Sequence, residues 1–268
     1  MQRVDVRRRA TIVSLIIGST SLGALTLGAK ATPAFPPYVQ QALAVAAKKT
    51  RVPVLGPLRI PSSESVYPKD GTFAADVHAT RTQYAISWWW ERRAMPVNDP
   101  QIIQASTLLG NTNSLLTVEG TRYATTAQAR RIVWSNGFDP KTHYAVPAGA
   151  RHVRLTSTLT GRRWSTRLTD DIVWKEHGWT IATSIPMPSL QKSQWATQAI
   201  TWAKSLISQV MAPMPGQLGT ISVYPGNPSD VSVGWQRGRT VYKVYAPYGL
   251  SRATRVVASL YPYAASSH

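Results

Sequence analysis

The sequence has no cysteine. This excludes disulfides, thiolate catalysis, cysteine-ligated zinc sites and an anchor that joins a lipid to a cysteine. Acidic residues are also scarce, with 12 aspartates and glutamates against 30 lysines and arginines in 268 residues. The formal net charge is therefore +18, and anionic partners are expected.

Residues 10–29 contain no charged residue. This run follows four arginines within the first nine residues and ends at the small-x-small pattern Ala29-Lys30-Ala31. A basic start, an apolar middle and a small-residue end predict a secretory signal peptide over residues 1–31, cut near Ala31. An uncleaved membrane anchor is the alternative, because about 20 residues can span a bilayer.

Cleavage would leave 25 bases and 11 acids, a net charge of +14. A chain exported with this charge meets anionic lipid headgroups and wall polymers before it meets nucleic acid. We therefore expect a secreted or extracytoplasmic, envelope-associated protein. We expect no specific nucleic-acid partner, and no transmembrane span once the signal peptide has been removed.

The remaining chain favours strands and turns over helices. Residues 32–37 predict a proline-rich tether, and residues 38–268 one α+β domain, with a possible subdivision into 38–135 and 140–268. Its fold class is predicted as mostly antiparallel curved sheet backed by a few helices. Helices are expected in "YVQQALAVAAKKT" and "TTAQARRIVW", and a strand in "RTQYAISWW". "SLLTVEGTRYA" predicts two short strands around Glu119-Gly120, and a hairpin turn is expected at Thr160-Gly161.

The C-terminal half contains two similar stretches, Asp171–Val210 and Asp230–Leu260. Each has a β-rich run, a tryptophan, a polar turn that ends in glycine, a second β-rich run, a proline and a helical run. We interpret them as two hairpin-plus-helix units, either a degenerate repeat or a chance likeness of two hairpins. Trp174 and Trp235, one in each unit, are predicted to lie in the core.

The ending "WQRGRTVYKVYAPYGLSRATRVVASL" resembles the close of an uncharacterised extracytoplasmic domain family of Gram-positive bacteria. Those proteins end in Trp-x-x-Gly, a strand and a short helix, a pattern that maps onto Trp235, Gly238 and Ala253–Leu260. "VPVLGPLRIPSS" is similar to their proline-spaced opening. The family is related in style to lipoprotein-carrier-like and anti-sigma-factor sensor domains, so the resemblance implies a curved sheet backed by helices. Its motifs are structural and imply no catalytic residue. The lipobox cysteine that many members carry is missing.

Catalytic and metal-binding motifs are also missing. There is no nucleophile elbow and no glycine-rich phosphate loop. The five histidines form neither His-x-x-x-His nor His-Glu-x-x-His, so no metal site and no cofactor are predicted. Asp171 and Glu176 could serve a hydrolase acting on wall or extracellular polysaccharide, but turn chemistry is the better explanation for carboxylates at hairpin ends.

Arginine is concentrated between residues 122 and 167, where nine bases face one acid, Asp139. Arginine presents a planar fork that binds phosphate or carboxylate in a bidentate manner. We take six of these arginines as a candidate anion-binding face, with ordinary solvated surface as the alternative. They are Arg130, Arg131, Arg151, Arg154, Arg162 and Arg163.

Three of the ten tryptophans are consecutive, Trp88, Trp89 and Trp90. On a strand, Trp88 and Trp90 point to one face and Trp89 to the other. A sheet buried on both faces would hide all three. Otherwise the triplet supplies an aromatic surface for stacking on sugars or anchoring at an interface, with cation–π support from Arg92 and Arg93.

The expected function is thus a non-catalytic extracytoplasmic binding or sensor module. Its partner would be an anionic envelope polymer, a lipid surface or an envelope protein. The alternatives are the polysaccharide- or wall-acting hydrolase and a structural component of a surface layer or coat.

Overall fold

The computed structural model describes residues 34–60, 70–102, 113–135, 146–176, 178–186, 192–207, 209, 219–225, 230–247 and 249–264. These residues belong to one compact unit, Ala34–His268. The predicted signal peptide lies outside the described residues.

Local sequence accounts for the helices. Pro37 suits the first turn of its helix, and Lys48 and Lys49 suit the end of the helix dipole. The helices with described bounds are α1 (Pro37–Lys49), α2 (Thr126–Ser135), α3 (Lys192–Ile207) and α4 (Leu250–Ala258).

The strands are rich in β-branched and aromatic residues, which fit a half-buried pleated surface. They are β1 (Leu55–Pro57), β2 (Thr72–Thr80), β3 (Gln83–Glu91), β4 (Ser114–Arg122), β5 (Arg151–Arg154), β6 (Thr160–Ser165), β7 (Thr169–Glu176), β8 (Trp179–Pro186), β9 (Gly219–Tyr224), β10 (Asp230–Arg237), β11 (Thr240–Ala246) and β12 (Leu260–Pro262).

Ten of these strands form one sheet in the order β2-β3-β4-β11-β10-β9-β8-β7-β6-β5. Every neighbouring pair in it is antiparallel except β8 and β9, which run parallel. Strands β1 and β12 pair separately as a two-stranded antiparallel sheet. The predicted α+β class, with a mostly antiparallel sheet, is confirmed.

One face of the large sheet is apolar, and we call it the covered face. Its middle rung crosses seven strands with side chains that are at most 2% exposed: Ile86, Val118, Val244, Val233, Ile221, Ile181 and Trp174. Helix α1 packs on β2 and β3, α3 on β7 and β8, and α4 on β10 and β11. The core of the protein therefore lies between this face and these helices.

The opposite face is the polar face. Its matching rung contains Ser87, Thr117, Tyr245, Ser232, Ser222, Ala182, Val173, Arg162 and His152. Helix α2 packs on this face through Ala129 and Val133, which form a small apolar cluster with Val241 of β11.

Both predicted hairpin-plus-helix units are present, as β7-β8-α3 and β10-β11-α4. Each turn contains a glycine with positive φ, 83° at Gly178 and 60° at Gly238, which other residues rarely adopt. Trp174 and Trp235 are each 2% exposed, so their predicted place in the core is confirmed.

Two local predictions are wrong. The stretch around Glu119-Gly120 is one continuous strand, β4. Gly120 lies within it because a Cβ there would come within 2.4 Å of the Tyr84 ring, so glycine is needed for close packing and not for a turn. The turn expected at Thr160-Gly161 lies earlier, where the amide of Leu155 donates to the carbonyl of Leu159 at 2.9 Å.

Candidate binding surfaces

Five exposed arginines lie together at one end of the sheet, and we call this surface the basic rim. Backbone hydrogen bonds connect the segments that carry them. The amide of Arg51 donates to the carbonyl of Arg81 at 3.0 Å, and the amide of Tyr123 donates to the carbonyl of Arg239 at 2.8 Å. Its members are Arg51, Arg81, Arg122, Arg237 and Arg239.

Strand register explains why these arginines meet. Thr240 of β11 pairs with Arg122 on one side and with Arg237 on the other. The amide of Arg122 also donates to the carbonyl of Thr82 at 2.8 Å, beside Arg81. Because β3, β4, β11 and β10 are adjacent, the rim extends across about 14 Å of sheet.

No acid faces these charges within the segments that form the rim. Residues 50–52, 81–83, 121–124 and 236–240 are all described, and none is aspartate or glutamate. Helix α2 begins beside the rim, where Gln236 Nε2 donates to the carbonyl of Thr126 at 2.9 Å. Two of the predicted anion-binding residues, Arg130 and Arg131, are exposed on this helix.

A groove of about 540 Å³ lies elsewhere on the polar face, over strands β5 to β9. Three basic side chains line it, and none of the described lining residues is acidic. Apolar and hydroxyl side chains complete it. The lining side chains of the polar face are His152, Thr160, Arg162, Trp164, Val173, Lys175, Thr180, Ala182, Thr220 and Ser222, with Val146 from the preceding loop.

A second cavity on the polar face holds two carboxylates, Glu119 and Asp230, together with Trp89. Burial raises the pKa of Glu119, although neighbouring Lys243 acts to lower it. Asp230 lies two strands away and four residues along the strand, since Glu119 pairs with Lys243 and Lys243 with Gly234. Their Cα atoms are therefore about 16 Å apart, and the two side chains would have to reach toward each other to attain the roughly 5–10 Å between the paired carboxyl groups of a hydrolase.

The predicted hydrolase residues do not converge either. Asp171 lies on the polar face of β7 and Glu176 on its covered face, because their positions differ by an odd number. Asp171 is 1% exposed and accepts a hydrogen bond from Thr169 Oγ1 at 2.8 Å. Glu176 accepts one from Trp174 Nε1 at 3.3 Å.

The six predicted arginines do not form one cluster. Arg130 and Arg131 lie on α2, Arg151 and Arg154 on the edge strand β5, and Arg162 and Arg163 on β6. On β6 the two residues point to opposite faces. Arg162 lines the groove, while Arg163 pairs with buried Asp170 on the covered face. The dense arginine segment is thus divided by the fold.

The tryptophan triplet is also divided. Trp88 is 0% exposed beneath the face that α1 covers, so the hypothesis of an aromatic surface is wrong for this residue. Trp90 is half-buried on the same face and meets Phe73 edge to face, with ring centroids 5.0 Å apart. Trp89 is half-buried on the polar face.

Sequence reasoning missed most of the basic rim and the basic side of the groove. Lys175 and His152 join Arg162 in the groove only through the pairing of β5, β6 and β7. The two hairpin-turn arginines, Arg237 and Arg239, flank Gly238, and this arginine-rich turn was the one local signal for the rim.

Among the described residues, no group of three or more histidines, aspartates or glutamates could hold a metal ion. Within the same residues, no helix is long and apolar enough to cross a membrane. Comparisons with protein-family models, curated proteins and solved structures found no match to this chain.

Proposed function

We propose that the protein is a non-catalytic extracytoplasmic binding module that engages an anionic polymer of the cell envelope. The basic rim is the observation that carries this proposal. Its five arginines are exposed at one end of the sheet, and no carboxylate lies in their own segments. Such a row presents several bidentate donors to the phosphates or carboxylates of one chain molecule.

The net charge supports the same proposal. Long-range attraction to an anionic surface would be screened over about 8 Å at physiological salt, so association should depend strongly on ionic strength. An anionic lipid surface and an acidic envelope protein offer similar charge. The linear arrangement of the rim favours a polymer, because successive charges along one chain can reach successive arginines.

The test compares two double variants with the same change in charge. Arg81→Glu with Arg239→Glu reverses two rim residues. Arg93→Glu with Arg252→Glu reverses two exposed arginines away from the rim, after the far end of β3 and near the start of α4. Binding to purified cell wall, with and without its anionic polymer, and to anionic and neutral vesicles is measured by sedimentation across a salt series.

We expect the unaltered chain to bind polymer-bearing wall at low salt and to dissociate as salt rises. The rim variant should bind about tenfold more weakly and show a flatter salt dependence, because fewer charges take part. The control variant should keep most of the affinity. Equal losses in both variants, or absence of binding to every surface at low salt, would overturn the proposal and favour a structural role.

A further inference from the structure

We infer that the groove is a second binding site, for a small amphipathic anion with one carboxylate or phosphate group on an apolar body. This site is separate from the basic rim and differs in its chemistry. The rim is an exposed row of charges, whereas the groove is a concave site with apolar walls and a few polar groups, as small-molecule sites generally are.

The anionic group is assigned by the three basic side chains. His152 of β5 pairs directly with Arg162 of β6, and Arg162 pairs with Val173 of β7. Lys175 lies two residues beyond Val173 on the same face, so its Cα is diagonal to that of Arg162 at about 7–8 Å. The side chains of His152, Arg162 and Lys175 all line the groove, so an anionic group bound in it would lie among basic side chains.

None of the described residues that line the groove is a carboxylate. Asp171 lies two residues before Val173 on the same face, but it is 1% exposed and does not line the groove. Its Oδ2 accepts from Thr169 Oγ1. Arg162 is itself held in place, because its Nε donates to the carbonyl of Ala150 at 3.2 Å. The groove therefore keeps a positive potential.

The apolar side chains that line the groove indicate that the ligand carries an apolar group. Trp164 lies on β6 beside Arg162. Val173 of β7 and Ala182 of β8 form the floor of the groove, and Val146 lies at its edge. Val146 is 40% exposed, a high value for a valine. An alkyl or aryl group on these side chains would be removed from water, which favours binding in proportion to the apolar area buried.

Two buried hydroxyls give an independent reason to expect a ligand. Thr180 Oγ1 and Ser222 Oγ are shielded from solvent and have no hydrogen-bond partner among the described residues. Both residues line the groove, and Ser222 is 1% exposed. Buried polar atoms in folded proteins normally have a partner. An oxygen of the bound anion beside Lys175 would supply one to Thr180, which pairs with Lys175 across β7 and β8.

The test uses calorimetric titration of the whole chain with four probes. Octanoate and octyl phosphate carry both features, octanol carries the apolar body alone, and acetate carries the charge alone. We expect octanoate or octyl phosphate to bind at least about tenfold more tightly than octanol or acetate. The tighter of the two anions identifies the head group. Equal affinity for octanol and both anions would overturn the inference.

Variants then locate the site. Arg162→Gln with Lys175→Gln should weaken binding of the preferred anion about tenfold, and Thr180→Val should weaken it severalfold with little change in shape. Arg93→Gln with Arg252→Gln gives the same change in net charge away from the groove and should leave affinity unchanged. Thermal unfolding monitors the fold of each variant. Loss of affinity in the control, or none in either groove variant, would place the anion elsewhere and overturn the inference. The wall-binding test of the rim is unaffected by either result.

Discussion

Asp170 lies at the second position of β7 and is 0% exposed. Its Oδ2 accepts hydrogen bonds from Nε of Arg163, at 3.0 Å, and from Nη2 of the same residue. Burial raises the pKa of Asp170, and the hydrogen bonds and charge of Arg163 oppose that rise. Arg163 is therefore a structural partner, and its predicted role in anion binding would compete with this ion pair.

Arg163→Ala should destabilise the protein by about 3–5 kcal/mol at pH 7, because it leaves a buried carboxylate without its partner. Removing the guanidinium raises the folded pKa of Asp170 further above its ordinary value of 3.8. Between these two pKa values the folded state holds a proton that the unfolded state has lost, so stability falls as pH rises through that window. The cost should thus be smallest below pH 4.

Urea unfolding at pH 4 and pH 7 checks this expectation. The double variant Arg163→Ala with Asp170→Asn serves as the control, because it removes the charge that Arg163 balances. Its stability at pH 7 should exceed that of Arg163→Ala alone. A loss that is equal at both pH values, and is not relieved by Asp170→Asn, would show that Arg163 acts through packing.

Burial could be predicted from the sequence for residues whose pattern is local. Trp174 and Trp235 were placed in the core because each stands in a β-rich run before a turn glycine. Trp88, Trp89 and Trp90 could be assigned to alternate faces, but not to a covered or an exposed face. That distinction depends on α1, which reaches β3 only in the tertiary structure.

At the scale of the elements, strands β5 and β9 show how burial differs between the edge and the centre of the sheet. Within the described residues β5 has a single neighbour, β6, and three of its four residues are exposed. Strand β9 lies between β8 and β10, and five of its six residues are buried. The hairpins β7-β8 and β10-β11 were predictable from local turns, whereas the position of β9 between them was not.

Hydrogen exchange should reflect this difference. Amides of β9 should exchange only when the whole sheet opens, and those of β5 through local opening, so we expect β5 to exchange at least about a hundredfold faster. Mass spectrometry of peptides from a deuterium-labelling time course measures both strands in one experiment, with β10 as a second central strand for reference. Equal protection of β5 and β9 would indicate that a further surface covers the β5 edge.

At the scale of the whole molecule, the basic rim is a product of long-range pairing. Arg51 and Arg239 are 188 positions apart in the chain and belong to one surface in the fold. Local arginine density points to residues 122–167. The fold distributes the arginines of this segment among helix α2 and strands on both faces of the sheet. The composition predicts attraction to anions, but the grouping of the basic-rim arginines depends on strand order.

Export remains a prediction. The described fold begins beyond the expected cleavage position, and its first helix starts at Pro37, so cleavage near Ala31 would leave every described element intact. Mass spectrometry of protein from the producing cell should find a mature N-terminus within a few residues of Thr32. A chain that retains Met1 in the cytoplasmic fraction would contradict both cleavage and export.

The pairing of distant strands also sets an order of events during synthesis. Among the described residues, β4 joins the central strands through β11, residues 240–246, and β1 pairs with β12, residues 260–262. Because the ribosome makes the chain from the N-terminus, β2, β3 and β4 are the first strands of the ten-stranded sheet to be made. More than a hundred further residues separate β4 from its other neighbour, β11. The ten-stranded sheet can therefore be completed only after β11, which ends at Ala246, has left the ribosome. Until then the edge of β4 lacks its final partner, and an unpaired strand edge of this kind is one reason why nascent chains need chaperones.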